Sequence, residues 1–414
     1  MKNYRKLMVA LGITFFGSWF NLIAIVSAIY EATGSKWALG MAFVVKFLPK
    51  LIFSFLSAFI LDQFNKKKIM ATAEYISFFS VLGLAIVVNS NNTIMWMYIF
   101  YFIMNAAISI FDPARMSIIP TLFKEEKDYG KAVSELTIIR YSTMLVATGI
   151  GGMLLEIIGA QMLLVIDAIT FFLSASIIMT MKLEYKPLQR EKLKLTSSIY
   201  NIYEDLKIGL KEIKNAPRLK SAVIIFGSRE FAYGIAQVTF SLLVLDKLGK
   251  SESWLGIAYT AGGIGCVLGG YIFKILQKKY NEKFFNLIIY PLNAVAMFLM
   301  FASENIVMFL VVVFFHDIFS VSSEIFLDTN IVTWASKETV GRISSLYMTV
   351  GRLFYFLAIL AYTFLLNGID YAELGTVVAA ILLAGVAISF YITRSDSEVL
   401  AKKGFNAVKK KSNI

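Results

Sequence analysis

Apolar residues in this chain come in long unbroken runs, without the alternation of a half-buried strand or the one-sided spacing of a soluble helix. Polar breaks divide them into twelve stretches near residues 7–30, 37–61, 69–88, 93–115, 131–158, 161–182, 219–244, 252–274, 284–302, 305–328, 341–366 and 371–393. About 20 apolar residues in a helix cross the roughly 30 Å of hydrocarbon in a bilayer. Backbone polar groups in lipid must be paired within their own segment, so each stretch is predicted to be a helix. The longer ones tilt or project into solvent. The pattern therefore predicts an all-α membrane protein with twelve transmembrane helices, spans 1–12 in chain order. Span 1 follows Lys2, Arg5 and Lys6 like the core of a secretory signal. It is too long for one and opens directly into further spans, so it is expected to be retained.

Composition and charge sharpen this picture. Of 414 residues, 58% are hydrophobic and only 16% charged, against about 25% charged in a soluble domain. Most of the 40 basic residues fall at the two termini and in the breaks after even-numbered spans, whereas the breaks on the other side hold only Lys36, Lys247 and Lys250. This asymmetry predicts a multi-pass protein of the cytoplasmic membrane with both termini cytoplasmic. It also accounts for the net charge of +12 as a face beside anionic lipid, so no nucleic-acid partner is expected.

The longest break predicts the domain plan: a six-helix bundle over 1–182, a cytoplasmic linker over 183–218, a second bundle over 219–393, and a basic cytoplasmic tail over 394–414. Apolar positions at Ile202, Leu206, Ile208, Leu210 and Ile213 suit an amphipathic surface helix, and a solvated linker equally. Short matches link the two bundles. "GSKWALG" at 34–40 resembles "SESWLG" at 251–256, and "YGKAVSEL" at 129–136 resembles "VGRISSL" at 340–346. Both pairs sit at equivalent helix starts, nearly half the chain apart, which predicts two parallel six-helix pseudo-repeats. Such halves place a binding site at their interface near mid-membrane, the arrangement used for alternating access.

Polar residues inside the spans mark a pathway, because a charge at the bilayer centre needs a partner or water. In span 10, Asp317, Ser320, Glu324 and Asp328 share one helix face, with His316 beside them. Span 7 repeats the pattern with Glu230, Tyr233, Gln237 and Ser241 next to Arg229. Span 4 supplies Tyr98, Tyr101, Asn105, Ser109 and Asp112, and span 1 supplies Thr14, Ser18 and Asn21. The expected cavity lining is Asn21, Tyr101, Asn105, Arg140, Arg229, Tyr233, Gln237 and Arg352. Glu230, Asp317 and His316 are the candidates for energy coupling, since an acid in such a cavity can load and release a proton. Plainer roles stand beside these. Lys46 and Lys50 also suit structural ion pairs with neighbouring helices, Arg140 and Arg352 a repeat-related structural pair, and His316 a hydrogen bond in a polar cavity. Glu74 and Glu156 lie near the interfaces and need no function.

Residues 58–68, "AFILDQFNKKK", resemble the loop between spans 2 and 3 of the major facilitator superfamily. Asp62 stands for that family's acid, Lys66 and Lys67 for its basic pair, and Asn65 for a glycine where a turn wants positive φ. The resemblance implies a cytoplasmic gate of Asp62, Lys66 and Lys67 against Gly341 and Arg342 at the start of span 11, with Arg115 as a second partner. It also implies that spans 1, 4, 7 and 10 line the central cavity. Residues 111–175 resemble the macrolide-efflux and siderophore-exporter branch, through Pro113-Ala114, Pro120, Glu125-Glu126, Gly149 to Gly152 and Asp167-Ala168; residues 337–347, "KETVGRISSLY", do so at the start of span 11. The antiporter signature of span 5 is altered, with Ala147 and Thr148 where Gly-Pro is usual, and span 4 has no arginine before Arg115. Facilitated diffusion or another coupling ion thus stays open beside proton antiport.

The resemblance implies a secondary transporter, driven by protons as coupling ion, that exports amphipathic organic small molecules of macrolide or multidrug type. A siderophore or other metabolite exporter of the same fold, or a non-transporting receptor or scaffold, is the alternative. An aromatic-rich chain with few fixed charges in its cavity suits bulky hydrophobic or cationic ligands. An enzyme is not expected. One histidine and one cysteine, Cys266, leave a His/Cys metal site without ligands, no phosphate-loop domain fits the linker, and no cofactor is anticipated. A monomer in the lipid bilayer is expected.

Overall fold

The computed structural model describes residues 2–90, 94–122, 127–182, 207, 209–280, 284–334 and 340–411. Their ordered elements are all helical, and no strand occurs among them. Span 1 is Lys2–Thr33, span 2 Lys36–Gln63, span 3 Lys66–Val87 and span 4 Ile94–Leu122. Spans 5 and 6 form one continuous helix, Lys127–Met179, broken inside at Gly159 with φ 76° and ψ 167°. Only glycine adopts such a conformation without strain, so this residue separates the two predicted spans without a loop. Span 7 is Pro217–Leu242, extended by a π-helical turn at Leu243–Lys247, and span 8 is Glu252–Lys279. Span 9 joins a π turn, Phe285–Ile289, to Tyr290–Ala302. Span 10 is Ile306–Trp334, span 11 is Val340–Ala361 with a π turn at Tyr362–Leu366, and span 12 runs over Tyr371–Lys411.

Nine helices among the described residues are long and apolar enough to cross a membrane, one of them the 42-residue stretch Ile138–Met179 that Gly159 divides. Spans 2 and 7 complete the twelve, carrying Lys46 and Lys50, and Arg229 and Glu230, within their length. Large apolar side chains such as Ile157, Met162, Leu365 and Tyr391 stay exposed. That surface suits hydrocarbon rather than water.

The helix contacts repeat. Span 1 packs on the span 5–6 helix as span 7 packs on spans 11 and 12. Spans 2 and 4 meet as 8 and 10 do, 3 and 4 as 9 and 10 do, and span 3 packs on the 5–6 helix as span 9 packs on span 12. Between the halves, the 5–6 helix meets span 8 and span 2 meets span 11, which is the same contact with the halves exchanged. Gly40 and Gly256, which end the two matching motifs, sit at these two contacts. A Cβ on Gly40 would collide with the Thr363 side chain; one on Gly256 would collide with the Thr148 carbonyl and the Gly152 backbone.

One local expectation is corrected. Asn65 has φ −64° and caps span 3, its side chain accepting from the Lys67 and Lys68 amides at 3.0 and 3.4 Å. The position needs an N-cap oxygen, not a left-handed turn. In the linker, residues 183–206 and Ile208 lie outside the described residues; 209–215 are helical, with Ile213 buried.

Candidate functional site

Where the halves face each other, helix polarity and aromatic side chains enclose a cavity of about 530 Å³. A second, of about 600 Å³, adjoins it toward the end that carries both termini, sharing Phe47, Lys50, Asp112, Arg115, Arg140 and Tyr355. Aromatic pairs cross between the halves along its walls, Trp19 with Tyr259 at 6.3 Å and Phe47 with Tyr355 at 4.8 Å between ring centroids.

The opposite, distal end is sealed. Tyr30 and Tyr371 each donate a hydroxyl to Asp246 at 2.6 Å, and the Lys36 ammonium lies 3.2 Å from the same carboxylate. Burial alone would push the Asp246 carboxyl up, but these donors outweigh it and hold the group below the usual carboxylate range. The Ser253 amide donates to Glu156 at 3.1 Å, and the Thr148 and Thr260 hydroxyls meet at 3.3 Å. Tyr30, Lys36, Thr148 and Glu156 belong to the first half; Asp246, Ser253, Thr260 and Tyr371 belong to the second. The molecule is thus closed distally, with its cavities extending toward the termini.

Asn21, Tyr101, Asn105, Arg140, Tyr233, Gln237, His316 and Asp317 line the central cavity; Arg140, Glu230 and Arg352 line the adjoining one. Arg229 does neither. It is 4% exposed and stands behind the wall, bonded to Glu230 and Glu324 at 2.6 Å each and 4.6 Å from the Tyr233 ring centroid. His316 is equally buried. Its Nδ1 pairs with Asp317 at 2.8 Å and its Nε2 with the Tyr233 hydroxyl at 3.1 Å, forming a chain from span 7 to span 10.

The gate residues divide. Lys66 donates to the Ser117 carbonyl at 3.0 Å, and Lys67 to the Met179 and Met181 carbonyls at 2.9 and 2.8 Å. These lysines tie the start of span 3 to span 4 near its last turns and to the end of span 6, where helix carbonyls lack partners. Arg115 pairs with Asp112 at 3.0 Å and lies 5.3 Å from the Phe15 ring centroid. The side chains of Asp62, Gly341 and Arg342 lie outside the described residues.

Four features escaped the sequence reading. Glu74 is not an interfacial residue: it is 2% exposed, lines the central cavity and accepts from the Thr14 hydroxyl at 3.0 Å. Asp167 is fully buried beside Thr170, whose hydroxyl lies 3.3 Å away. Lys46 and Lys50 line the cavity but make no ion pair among the described residues, standing over the Phe47 ring at 5.7 and 4.9 Å from its centroid. The Asp246 cluster was also missed, although a lone acid beside Lys247 on the lysine-poor side was its signal. The cavity therefore holds more fixed charge than the composition implied.

Comparison with known proteins matches this architecture. The Major Facilitator Superfamily model matches residues 7–359. The chain is 24% identical over 281 residues to BacE of Bacillus subtilis (strain 168), which carries the name bacilysin exporter; the match covers 67% of this chain and 66%, just under two thirds, of that relative. It is 21% identical over 251 residues to macrolide efflux protein A of Streptococcus pyogenes, covering 60% of each. Among solved structures, a bacterial homologue of the iron transporter ferroportin in an inward-facing state superposes with a TM-score of 0.74 at 12% identity, over 94% of this chain and 98% of the other. Twelve spans in two exchanged halves, a cavity at their seam and a family match across most of the sequence lead to one conclusion: the chain belongs to the Major Facilitator Superfamily.

Proposed function

We propose that this transporter exports amphipathic organic molecules across the cytoplasmic membrane of a bacterial cell, in exchange for protons. The observation that carries the reading is the hydrogen-bonded chain Tyr233–His316–Asp317 facing an aromatic cavity between two halves sealed at their distal end. A carboxylate whose partner is a histidine can take up a proton and pass it on as the cavity changes sides. Glu230, tethered by Arg229, is the second coupling candidate. The basic face of the chain orients the termini, and with them the open end, toward the cytoplasm. The exporter names of the relatives support outward transport. In the opposite state the termini end closes, with Asp62 meeting the start of span 11 at Gly341 and Arg342.

The test is transport in reconstituted vesicles with an imposed pH gradient, using the substrates found by a susceptibility panel in a host lacking its own exporters. Wild type should accumulate substrate against its gradient. Asp317→Asn should keep substrate binding and lose gradient-driven accumulation, with Glu230→Gln weaker in the same direction. A wild type indifferent to the pH gradient removes proton antiport. Unchanged accumulation in both variants removes these acids from the coupling step.

A further inference from the structure

Four cations stand in the walls of the joined cavities with no carboxylate within ion-pair distance among the described residues. Lys46 and Lys50 are one helical turn apart on span 2, Arg140 is on span 5 and Arg352 on span 11. The acids that share these walls are engaged elsewhere: Asp112 by Arg115 at 3.0 Å, Glu230 by Arg229 at 2.6 Å, Asp317 by His316 at 2.8 Å, and Glu74 by the Thr14 hydroxyl. Lys50 is attracted by Asp112, which Arg115 already holds, and repelled by both Arg140 and Arg352. Like charges gathered between membrane helices are unfavourable unless a counter-charge visits them.

The remaining wall is apolar and aromatic. Trp19, Phe47, Phe240, Tyr259 and Tyr355 flank the cations in the central cavity. We propose that Lys46, Lys50, Arg140 and Arg352 form a receptor for the anionic group, carboxylate, sulfonate or phosphate, of an amphipathic molecule whose apolar body lies against these rings. Guanidinium forks and ammonium groups match such oxyanions geometrically. The proposal deepens the export reading by naming a substrate class. It rests on the cavity being the binding site, and needs neither the direction nor the driving force of transport. Three of the cations belong to the first half and Arg352 to the second. Their mutual repulsion favours separation of the halves at the termini end, and a bound anion removes that repulsion. Binding then shifts the population toward closure.

The experiment uses the full chain in phosphatidylcholine nanodiscs without any gradient, so a failure of proton coupling leaves it untouched. Two probes of the same shape, 1-naphthaleneacetate and its neutral analogue 1-naphthaleneacetamide, are compared by equilibrium dialysis and thermal unfolding. Wild type should bind the anion about tenfold more tightly than the amide, a preference that shrinks with added salt. The double variant Lys50→Gln, Arg140→Gln should bring the two affinities within about twofold of each other. Unliganded, it should melt no lower than wild type, because a repulsion has been relieved; that melt also verifies folding. Repeating the comparison in phosphatidylglycerol nanodiscs identifies the source of the anion. Loss of the naphthaleneacetate preference there, with a raised wild-type melting temperature absent from the double variant, makes a lipid headgroup the natural occupant. An unchanged preference makes it the transported molecule. Equal binding of the two probes, no binding of the anion at millimolar concentration, or a preference that survives in the double variant overturns the proposal.

Discussion

The two halves share a helix plan but handle internal charge in opposite ways. In the second half, each acid at or behind the cavity wall named above has a described partner: Arg229 reaches Glu230 and Glu324, His316 reaches Asp317, and the Tyr347 hydroxyl donates to Asp328 at 3.1 Å. In the first half Asp112 pairs with Arg115, but Glu74 and Asp167 are buried beside the Thr14 and Thr170 hydroxyls with no cation in ion-pair distance among the described residues, and Lys46, Lys50 and Arg140 face the cavity with no acid that close. Packing is thus repeated and charge is not. Paired charges hold helices 7 and 10 in register; separated charges remain available to a proton or a ligand that comes and goes.

Breaking the paired side should have the largest effect. Arg229→Gln strands two carboxylates beside each other in the interior, and removing one partner of a buried pair costs about 3–5 kcal/mol. The side chain of Glu324 is 44% exposed and that of Glu230 20%, so solvent screening places the loss near the lower end. Thermal unfolding of the purified protein reads it directly. Adding Glu230→Gln and Glu324→Gln should restore most of the stability; if Arg229→Gln melts with wild type, the pairing is not structural.

The seam between the halves comes next, and it compares repeat partners directly. Gly256→Ala drives a methyl into the Thr148 carbonyl, whereas Gly40→Ala meets the Thr363 side chain. Backbone yields less than a side chain, so the first should cost about 1–3 kcal/mol and the second less. Both should also populate distally open states, readable as a longer spin-label distance between spans 5 and 8 or between spans 2 and 11. Equal effects at the two glycines would mean that the seams differ in more than their contact atoms.

Much of this was legible in the sequence. Run length located the spans, and i, i+3, i+7 spacing found the polar faces of spans 1, 4, 7 and 10, because a helix must turn its few polar groups to one side. What remained hidden depended on neighbours that sequence does not order. Glu74 is a single acid in an apolar run, with no periodic companions to reveal which way it faces. Lys46 and Lys50 look like ion-pair halves until the nearest described acid, Asp112 on span 4, is seen to pair with Arg115 instead. Asn65 was read by residue type, and only backbone angles separate a cap from a left-handed turn; likewise only the angles of Gly159 show the short break between residues 158 and 161 to be a kink and not a loop.

A smaller effect is expected where the two halves share one charge. Asp246→Asn removes a carboxylate held by Tyr30, Tyr371 and Lys36, and with its side chain 30% exposed the loss should be about 1 kcal/mol. Because its folded value lies below the usual carboxylate range, the stabilisation is fully present above about pH 4 and lost only as pH falls through that lower value. Distal spin-label distances should therefore stay constant from about pH 8 to pH 5 and lengthen only in stronger acid. Asp246→Asn should remove that acid transition. A seal that loosens near neutral pH would assign the distal gate to another group.

The smallest effect on stability should come from Glu74→Gln, and it is the sharpest test of the separated side. Gln preserves the volume and can still accept from Thr14, while no cation is left stranded, since none within ion-pair distance is described. Melting should change by less than about 1 kcal/mol, in contrast to Arg229→Gln. Transport separates the two further. If Glu74 is an exchangeable charge of the first half, gradient-driven accumulation should fall about tenfold while substrate equilibration without a gradient persists. The pH dependence of accumulation should flatten as well. If Glu74→Gln destabilises as strongly as Arg229→Gln, the carboxylate is a structural anchor and the two halves manage charge alike. If it alters neither melting nor accumulation, the first half contributes cations to the cavity and no working acid at this position.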